Sequence, residues 1–188
     1  MKISISHNFA DVARQLENLQ RDIADKALAS ALNKTVAQAK TAMSREIRGE
    51  FNLPAAKVNQ ALSITRARAT RGRLQLEASL QSPTKRGRSL NLGAFKARQT
   101  RKGVTFQVSR QGARKLIPGS FLINGGKTVM IREGKKRLPI KALQTIDVAQ
   151  MFNTRRINAR VVRMIEDKLP QIMDNEVRFF TDRFNRGK

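Results

Sequence analysis

Few side chains of this 188-residue sequence are suited to catalysis. It has one histidine, His7, and no cysteine, so a thiol nucleophile and a cysteine-ligated zinc site are excluded. We interpret His7 as an exposed residue or one beside a helix cap. The carboxylate pairs Asp22 with Asp25 and Glu166 with Asp167 lie on predicted polar helix faces with basic neighbours, where solvated ion pairs are the usual outcome. The sequence therefore predicts no catalytic residues, no metal site and no cofactor.

The segment Gly126-Lys127-Thr128 matches the end of a phosphate-binding P-loop. In that motif the glycine amides cradle phosphates, while the lysine and threonine contact phosphate and magnesium. Phe121 occupies the position of the required first glycine, and the residues after Lys127 alternate like a strand where the P-loop requires a helix. We therefore reject nucleotide binding, expect no small-molecule substrate, and predict that Gly125 and Gly126 form a turn between strands.

An excess of positive charge is the strongest chemical feature of the chain. It has 38 basic and 14 acidic side chains, a net charge of +24. Residues 51–142 contribute +19, from 21 basic and 2 acidic residues, whereas residues 1–50 and 143–188 contribute +2 and +3. Such an excess indicates a polyanion or an acidic protein as partner. We expect the central basic residues to form a shared functional face, with solvated surface decoration as the alternative. The candidate contact residues are Arg66, Arg68, Arg71, Arg73, Lys85, Arg86, Arg88, Lys96, Arg98, Arg101, Lys102, Lys135, Lys136 and Arg137.

These residue types bind phosphates or carboxylates without reading a base sequence. Arg66 and Arg68 alternate along a predicted strand, so their side chains should point to one face, with Arg71 and Arg73 flanking a turn. Contacts to a nucleic-acid backbone are electrostatic and depend on counterion release. The sequence has neither Trp nor Tyr, the rings that base-stacking modules usually present, and no helix-turn-helix or zinc-finger pattern. Sequence-specific regulation is therefore disfavoured.

A long amphipathic helix is predicted over residues 8–47. No proline interrupts this stretch, and Gly49 follows as a stop. A continuous helix of this length would reach about 60 Å, so we expect it to overhang a sheet or to meet a neighbouring subunit. A break near Asn33 is the alternative. The apolar stripe consists of Phe9, Val12, Leu16, Leu19, Ile23, Leu28, Leu32, Val36, Ala39, Met43 and Ile47.

The central region is predicted to form a short helix, FNLPAAKVNQAL, followed by antiparallel strands. Residues 63–68 and 74–80 alternate like two half-buried strands, with ATRG as the turn of a hairpin. GVTFQVS, SFLIN and TVMIRE are further strand candidates. SPTKRGRSLN is predicted to be a mobile loop, and KKRLPIKAL a basic bend held by Pro139.

The C-terminal region is predicted to be helical again, from Ile157 to Phe184, and Pro170 should kink this run or start a second helix. The fold class is therefore α+β, with a long N-terminal helix, a compact antiparallel sheet of about four to five strands, and C-terminal helices. We interpret residues 1–188 as a single domain. It comprises the long helix (1–50), a basic, mainly strand region (51–142) and a helical C-terminal region (143–188).

Targeting signals are not apparent in the sequence. No run of about 18 apolar residues could span a bilayer, and MKISISHNFADV lacks the apolar stretch of a secretory signal. We therefore expect a protein made and used in a cytoplasm, without a membrane partner.

Several strings, in their order along the chain, resemble the bacteriophage minor tail protein Z family. They are FADVARQLENLQRDIADKALASALNKTVAQAK, REIRGEFNLPAAKVNQAL, LNLGAFKARQTRKGVTFQV, GSFLINGG and REGKKRLPIKAL. The resemblance covers nearly the whole chain and includes no catalytic signature. The family is similar to tail-completion proteins, which act where the tail of a long-tailed phage or prophage joins the head.

The resemblance implies a non-enzymatic virion protein, assembled in the host cytoplasm and located in the tail at its head-proximal end. It implies the tail terminator, the tail tube and head-tail connector proteins as partners, and a homo-oligomeric ring, sixfold to match the tail. The basic face would then meet phage DNA in the lumen or an acidic neighbouring ring, and the sequence does not choose between them. A non-specific nucleic-acid-binding protein is the alternative function.

Overall fold

The computed structural model describes residues 2–5, 21–70, 73–82 and 89–186. These residues form a mixture of helices and antiparallel strands, and the predicted α+β class is confirmed. The helices are α1 (Arg21–Glu50), α2 (Ala55–Ala61), α3 (Val148–Phe152) and α4 (Arg155–Arg186), and a 3-10 turn is formed by Leu92–Ala94. The strands are β1 (Lys2–Ile5), β2 (Ser63–Thr65), β3 (Arg68–Thr70), β4 (Arg73–Gln75), β5 (Ala78–Gln81), β6 (Arg98–Thr100), β7 (Gly103–Phe106), β8 (Lys115–Pro118), β9 (Ser120–Ile123), β10 (Thr128–Arg132) and β11 (Ile140–Ala142).

The described residues divide between two compact units. The first unit draws on residues within Met1–Met43, Leu62–Ser82 and Asn158–Lys188, and the second on Ser44–Ala61 and Pro83–Ile157. The first holds the sheet β1-β5-β2 and the hairpin β3-β4, and the second holds the sheets β6-β7-β8 and β11-β10-β9. The strands expected in one compact sheet are therefore distributed over three small sheets and a hairpin.

Helix α1 confirms the apolar stripe from Ile23 onward and runs to Glu50, one residue beyond the predicted stop. The part of the predicted helix over residues 8–20 lies outside the described residues. The alternative of a break near Asn33 is wrong, because the helix is continuous there and Leu32 and Val36 on either side are buried. Burial of this stripe stabilises the helix more than the low helix propensity of one asparagine disfavours it.

Helix α4 forms one continuous element, so the alternative of a second helix starting at Pro170 is wrong. Proline removes one backbone hydrogen bond and disfavours a helix interior by about 3 kcal/mol. Leu169 and Met173 lie on either side of it in one buried stripe with Val161 and Ile165. Keeping that stripe aligned offsets the lost hydrogen bond.

The first unit is held together by polar contacts as well as by these apolar stripes. Asn33 of α1 accepts a hydrogen bond from the Ala67 backbone nitrogen at 2.9 Å and donates one to the Ala67 carbonyl oxygen at 3.0 Å. The continuous strand predicted over residues 63–68 is therefore wrong, because this clamp takes both backbone groups of Ala67 out of any strand ladder. The chain forms β2 before it and β3 after it.

The second unit has a core of Leu92, Val104, Phe106 and Val129. Its two sheets are joined by Ser120, whose hydroxyl accepts from the Val104 backbone nitrogen at 3.0 Å and donates to the Ile117 carbonyl oxygen at 2.6 Å. The strands β7, β9 and β10 confirm three sequence predictions. They place the basic turns of this unit at its surface.

A close backbone approach fixes the 3-10 turn of the second unit. The Asn91 side chain accepts from the Gly93 and Val129 backbone nitrogens, at 2.9 and 2.7 Å. A Cβ on Gly93 would lie 2.2 Å from the Lys127 carbonyl oxygen. Only glycine fits between these two backbone segments.

Candidate basic surfaces

The predicted contact residues divide between the two units, and each group is described within its own unit. Arg66, Arg68 and Arg73 belong to the first unit. The groups around residues 96–102 and 135–137 belong to the second. The prediction that all of these residues share one face stays a prediction. Arg71, Lys85, Arg86 and Arg88, like His7, lie outside the described residues.

Two exposed arginines of the first unit flank the Asn33 clamp. Arg66 precedes the buried Ala67 and Arg68 follows it, at the first position of β3. Both arginines line a surface depression of about 510 Å³ together with Ile64 and Thr65. Because the Ala67 backbone donates one hydrogen bond to the Asn33 side chain and accepts another from it, the backbone that carries Arg66 and Arg68 is held in place. Arg73 pairs through its backbone with Thr70 in the same hairpin.

In the second unit, one basic group surrounds the turn between β6 and β7. Lys96, Arg98, Arg101 and Lys102 are all exposed. The turn is closed by Gly103, which has a φ of 149° and whose added Cβ would lie 2.1 Å from the Ile117 carbonyl oxygen. The Lys102 carbonyl oxygen accepts from the Gly119 backbone nitrogen at 3.0 Å. The two cations of the turn are thus carried on backbone that is tied to its neighbouring strand.

Arg114 joins this group, although sequence reasoning missed it. Its Nη1 donates to the Lys96 carbonyl oxygen at 3.0 Å and to the Thr105 hydroxyl at 3.2 Å. Thr105 pairs with Arg98 across β6 and β7, so the side chains of Thr105 and Arg98 share one face of the sheet, and Arg114 lies against that face. The alternation of buried Val104 and Phe106 with Thr105 marks that face in the sequence. The pairing of β8 with β7, which the sequence did not predict, brings Arg114 to it.

A second basic group of this unit lies at the end of the β10-β11 hairpin. Lys135, Lys136 and Arg137 are exposed in the bend between the two strands. The Glu133 backbone nitrogen donates to the Pro139 carbonyl oxygen at 3.1 Å and closes this bend. The predicted basic bend KKRLPIKAL is therefore present up to Pro139, whereas Ile140–Ala142, in its second half, forms the strand β11.

Among the described residues, no ion pair joins an acidic side chain to the exposed candidate cations at positions 66, 68, 96–102 and 135–137. The ion pairs seen there join Lys2 to Glu77, Lys34 to Glu176, and Arg156 to Glu50. None of them includes a described candidate residue. Exposed cations that are in excess and outside ion pairs favour binding of an external anion, whether phosphate or carboxylate.

The described residues show no arrangement that points to another chemistry. Within them, no group of three or more His, Cys, Asp and Glu side chains could hold a metal ion. Thr128 begins strand β10, and Gly125 and Gly126 form the predicted turn with φ values of 62° and 82°. A P-loop would continue into a helix at this position, so the strand β10 agrees with the rejection of a P-loop. No helix in the described ranges is long and apolar enough to cross a bilayer.

Comparison with known proteins found one family. The family model of the prophage minor tail protein Z matches residues 9–183 of the chain. The search of curated proteins and the search of solved structures found no match to the chain.

Proposed function

Because the chain belongs to the prophage minor tail protein Z family, we propose that it completes the tail at its head-proximal end and takes part in head-tail joining. The family makes it a structural protein of the phage tail. The match over residues 9–183 is the observation that carries the proposal. The role is non-enzymatic, and assembly takes place in the host cytoplasm.

The proposed partners are the tail terminator, the tail tube and head-tail connector proteins. A protein at the end of a tube contacts a ring, so we expect a closed homo-oligomer, a hexamer if it follows a sixfold tail. One feature of α4 supports a subunit contact through this helix, namely an apolar side chain left in water. The large hydrophobic residue Phe179 is exposed on α4.

The basic groups supply the proposed contact chemistry. In the second unit, the exposed Arg98, Arg101 and Lys102 lie together around one turn, on a rigid backbone. They would bind DNA phosphates in the tail lumen or carboxylates of an adjacent ring. DNA phosphates and protein carboxylates would neutralise the same cations. The proposal therefore includes anion binding by this turn whether the partner is DNA or an acidic protein.

A prophage deleted for this gene tests the proposal. We expect induced cells to accumulate filled heads and tails that do not join, and purified full-length protein added to that lysate to restore infectious particles. The matched control for loss of charge is the variant K57A/R110A, which removes two exposed cations outside the candidate groups and outside α1 and α4. It should restore infectivity like the wild type. Normal particles from the deletion strain would contradict the proposal.

The net charge of +24 favours a second candidate, a non-specific nucleic-acid-binding protein. That function predicts affinity for duplex DNA that falls steeply with salt and persists in the isolated monomer. It also predicts that the deletion strain assembles normal tails. The two functions therefore differ in the phenotype of the deletion, and DNA binding alone does not separate them.

A further inference from the structure

The end of the β10-β11 hairpin, residues Arg132–Lys141, combines cations with exposed aliphatic side chains. It contains five basic residues and one acidic residue, Glu133. Within the same stretch Leu138 is 65% exposed and Ile140 is 36% exposed. Large aliphatic groups that remain in water beside a concentrated charge are typical of a surface that another molecule covers.

The sheet geometry turns this hairpin end outward. Val129 of β10 is fully buried in the core of the second unit. Arg132 pairs directly with Ile140, and Met130 with Phe121. Side chains alternate along a strand, so Arg132 and Ile140 lie on the face opposite Val129. The guanidinium carbon of Arg132 lies 4.9 Å from the centre of the Phe121 ring of β9, so this cation and Ile140 are on the same face of the sheet, on either side of β10.

We propose that the hairpin end docks onto an acidic protein surface that contains an apolar pocket, and that Leu138 fills this pocket. The inference rests on the proposed function, because the partner would be another protein of the tail. The five cations would surround the aliphatic contact and steer the approach of the acidic partner. This chooses the acidic protein over DNA for this basic group.

DNA fits the same residues less well. Phosphates would pair with the lysines and arginines, but they would leave Leu138 and Ile140 in water. Proteins that insert aliphatic wedges between base pairs present them where the chain can reach into the minor groove. Here the carbonyl of Pro139 accepts from the Glu133 backbone nitrogen, so Leu138 lies at the base of the bend and the tip is formed by residues 134–137.

Strand addition to the edge of this sheet is also disfavoured. β11 is an edge strand of three residues, Ile140–Ala142. It is preceded by Pro139 and contains Lys141, and both residue types protect sheet edges from pairing. The contact should therefore be made by side chains.

The test compares binding of full-length variants to two probes, namely tails purified from a prophage lacking this gene and a 30-base-pair DNA duplex. L138S should bind the tails about tenfold more weakly or worse, the effect of losing a central apolar anchor, and should bind DNA within about twofold of the wild type. L116S is the matched control, because Leu116 is 41% exposed in the same unit, and it should bind both probes normally. All variants should show the wild-type thermal unfolding profile.

The possible failures are distinguishable. If wild-type protein binds the tails and L138S binds them equally well, this inference is overturned and the proposed function stands. Equal losses of tail and DNA affinity in L138S would also overturn it, and would indicate a DNA contact. If wild-type protein itself does not bind the deficient tails, the proposed function fails and the inference fails with it.

Discussion

The Asn33 clamp offers the sharpest test of how the first unit positions its arginines. The variant N33A removes both hydrogen bonds to the buried Ala67 backbone, at 2.9 and 3.0 Å. A buried backbone group that loses its partner costs about 1–3 kcal/mol, so two such groups cost about 2–6 kcal/mol. Alanine improves helix propensity over asparagine by about 0.7 kcal/mol or less. Because Asn33 is only half-buried, water can partly replace its two hydrogen bonds, and we expect the free energy of unfolding to fall by an amount in the lower part of this range, about 2–4 kcal/mol.

Thermal unfolding followed by far-ultraviolet circular dichroism measures this loss. For a chain of this size, about 2–4 kcal/mol corresponds to a decrease in Tm of about 5–15 °C. N33D is the graded variant, because a carboxylate still accepts from the Ala67 nitrogen but cannot donate to its carbonyl oxygen. It should fall between N33A and the wild type. Q38A, at an exposed position of the same helix, controls for the change of helix propensity.

A Tm of N33A within about 2 °C of the wild type would refute the reasoning, since that shift corresponds to 1 kcal/mol or less. So would a loss in Q38A as large as that in N33A. Either result would mean that the two hydrogen bonds do not hold the segment on which Arg66 and Arg68 are carried.

Three further predictions concern single features of each unit. G93A should lower the free energy of unfolding by about 3 kcal/mol or more, because the added Cβ would lie 2.2 Å from a backbone carbonyl oxygen. G49A is the control, because a Cβ added there has no neighbouring atom within 4 Å, and it should show no loss of stability in urea unfolding. E176Q should cost about 1–2 kcal/mol, because the ion pair of the buried carboxylate with Lys34 is lost while a glutamine oxygen can still accept from the Ser30 hydroxyl, now at 2.6 Å. E176A also empties the buried position and should cost more, about 2–3 kcal/mol; the reverse order in urea unfolding would be inconsistent with this account. Neutralising Arg66, Arg68, Arg71 and Arg73 together should leave the circular dichroism spectrum unchanged. The same variant should fail to restore infectious particles when it is added to a deletion lysate. Normal titres of infectious particles would argue against a shared role of these four arginines.

The elements that the sequence predicted correctly are those with a strong apolar period. The stripe from Ile23 to Ile47 predicts α1, because burial at every third or fourth residue defines one helix face. The strands β9 and β10 have apolar residues on both sides of Gly125 and Gly126, whose positive φ values match the predicted turn. In each case the local signal and the packing agree.

The strands that the sequence missed in this sheet are short and mostly exposed, so they carry no alternation of buried and exposed positions. β6 is exposed at all three residues, and β8 is exposed at three of four. Such strands form because β7 offers an open edge on each side, which is a property of tertiary structure. The break between β2 and β3 likewise depends on Asn33, more than 30 residues earlier in the chain.

The sequence predicts which basic residues are exposed, but it does not predict how they are arranged in the fold. Charge counting finds the exposed Lys96, Arg98 and Arg137, because solvated cations need no special packing. It does not find Arg114, whose place beside Arg98 depends on strand register. It also does not distinguish the hairpin end from the other groups, because the exposure of Leu138 is known only from the fold.

The most direct test of the central claim is to locate the protein in particles from an induced prophage that encodes this chain. Heads, tails and intact virions would be separated, labelled with gold-conjugated antibody against the full-length protein, and viewed by electron microscopy. The account predicts label at one end of the tails, the end that joins the head in intact virions. Label along the whole tail, or at the distal tip, would contradict the proposed position. Absence from every particle, with the protein bound to free nucleic acid, would contradict the tail-completion function itself.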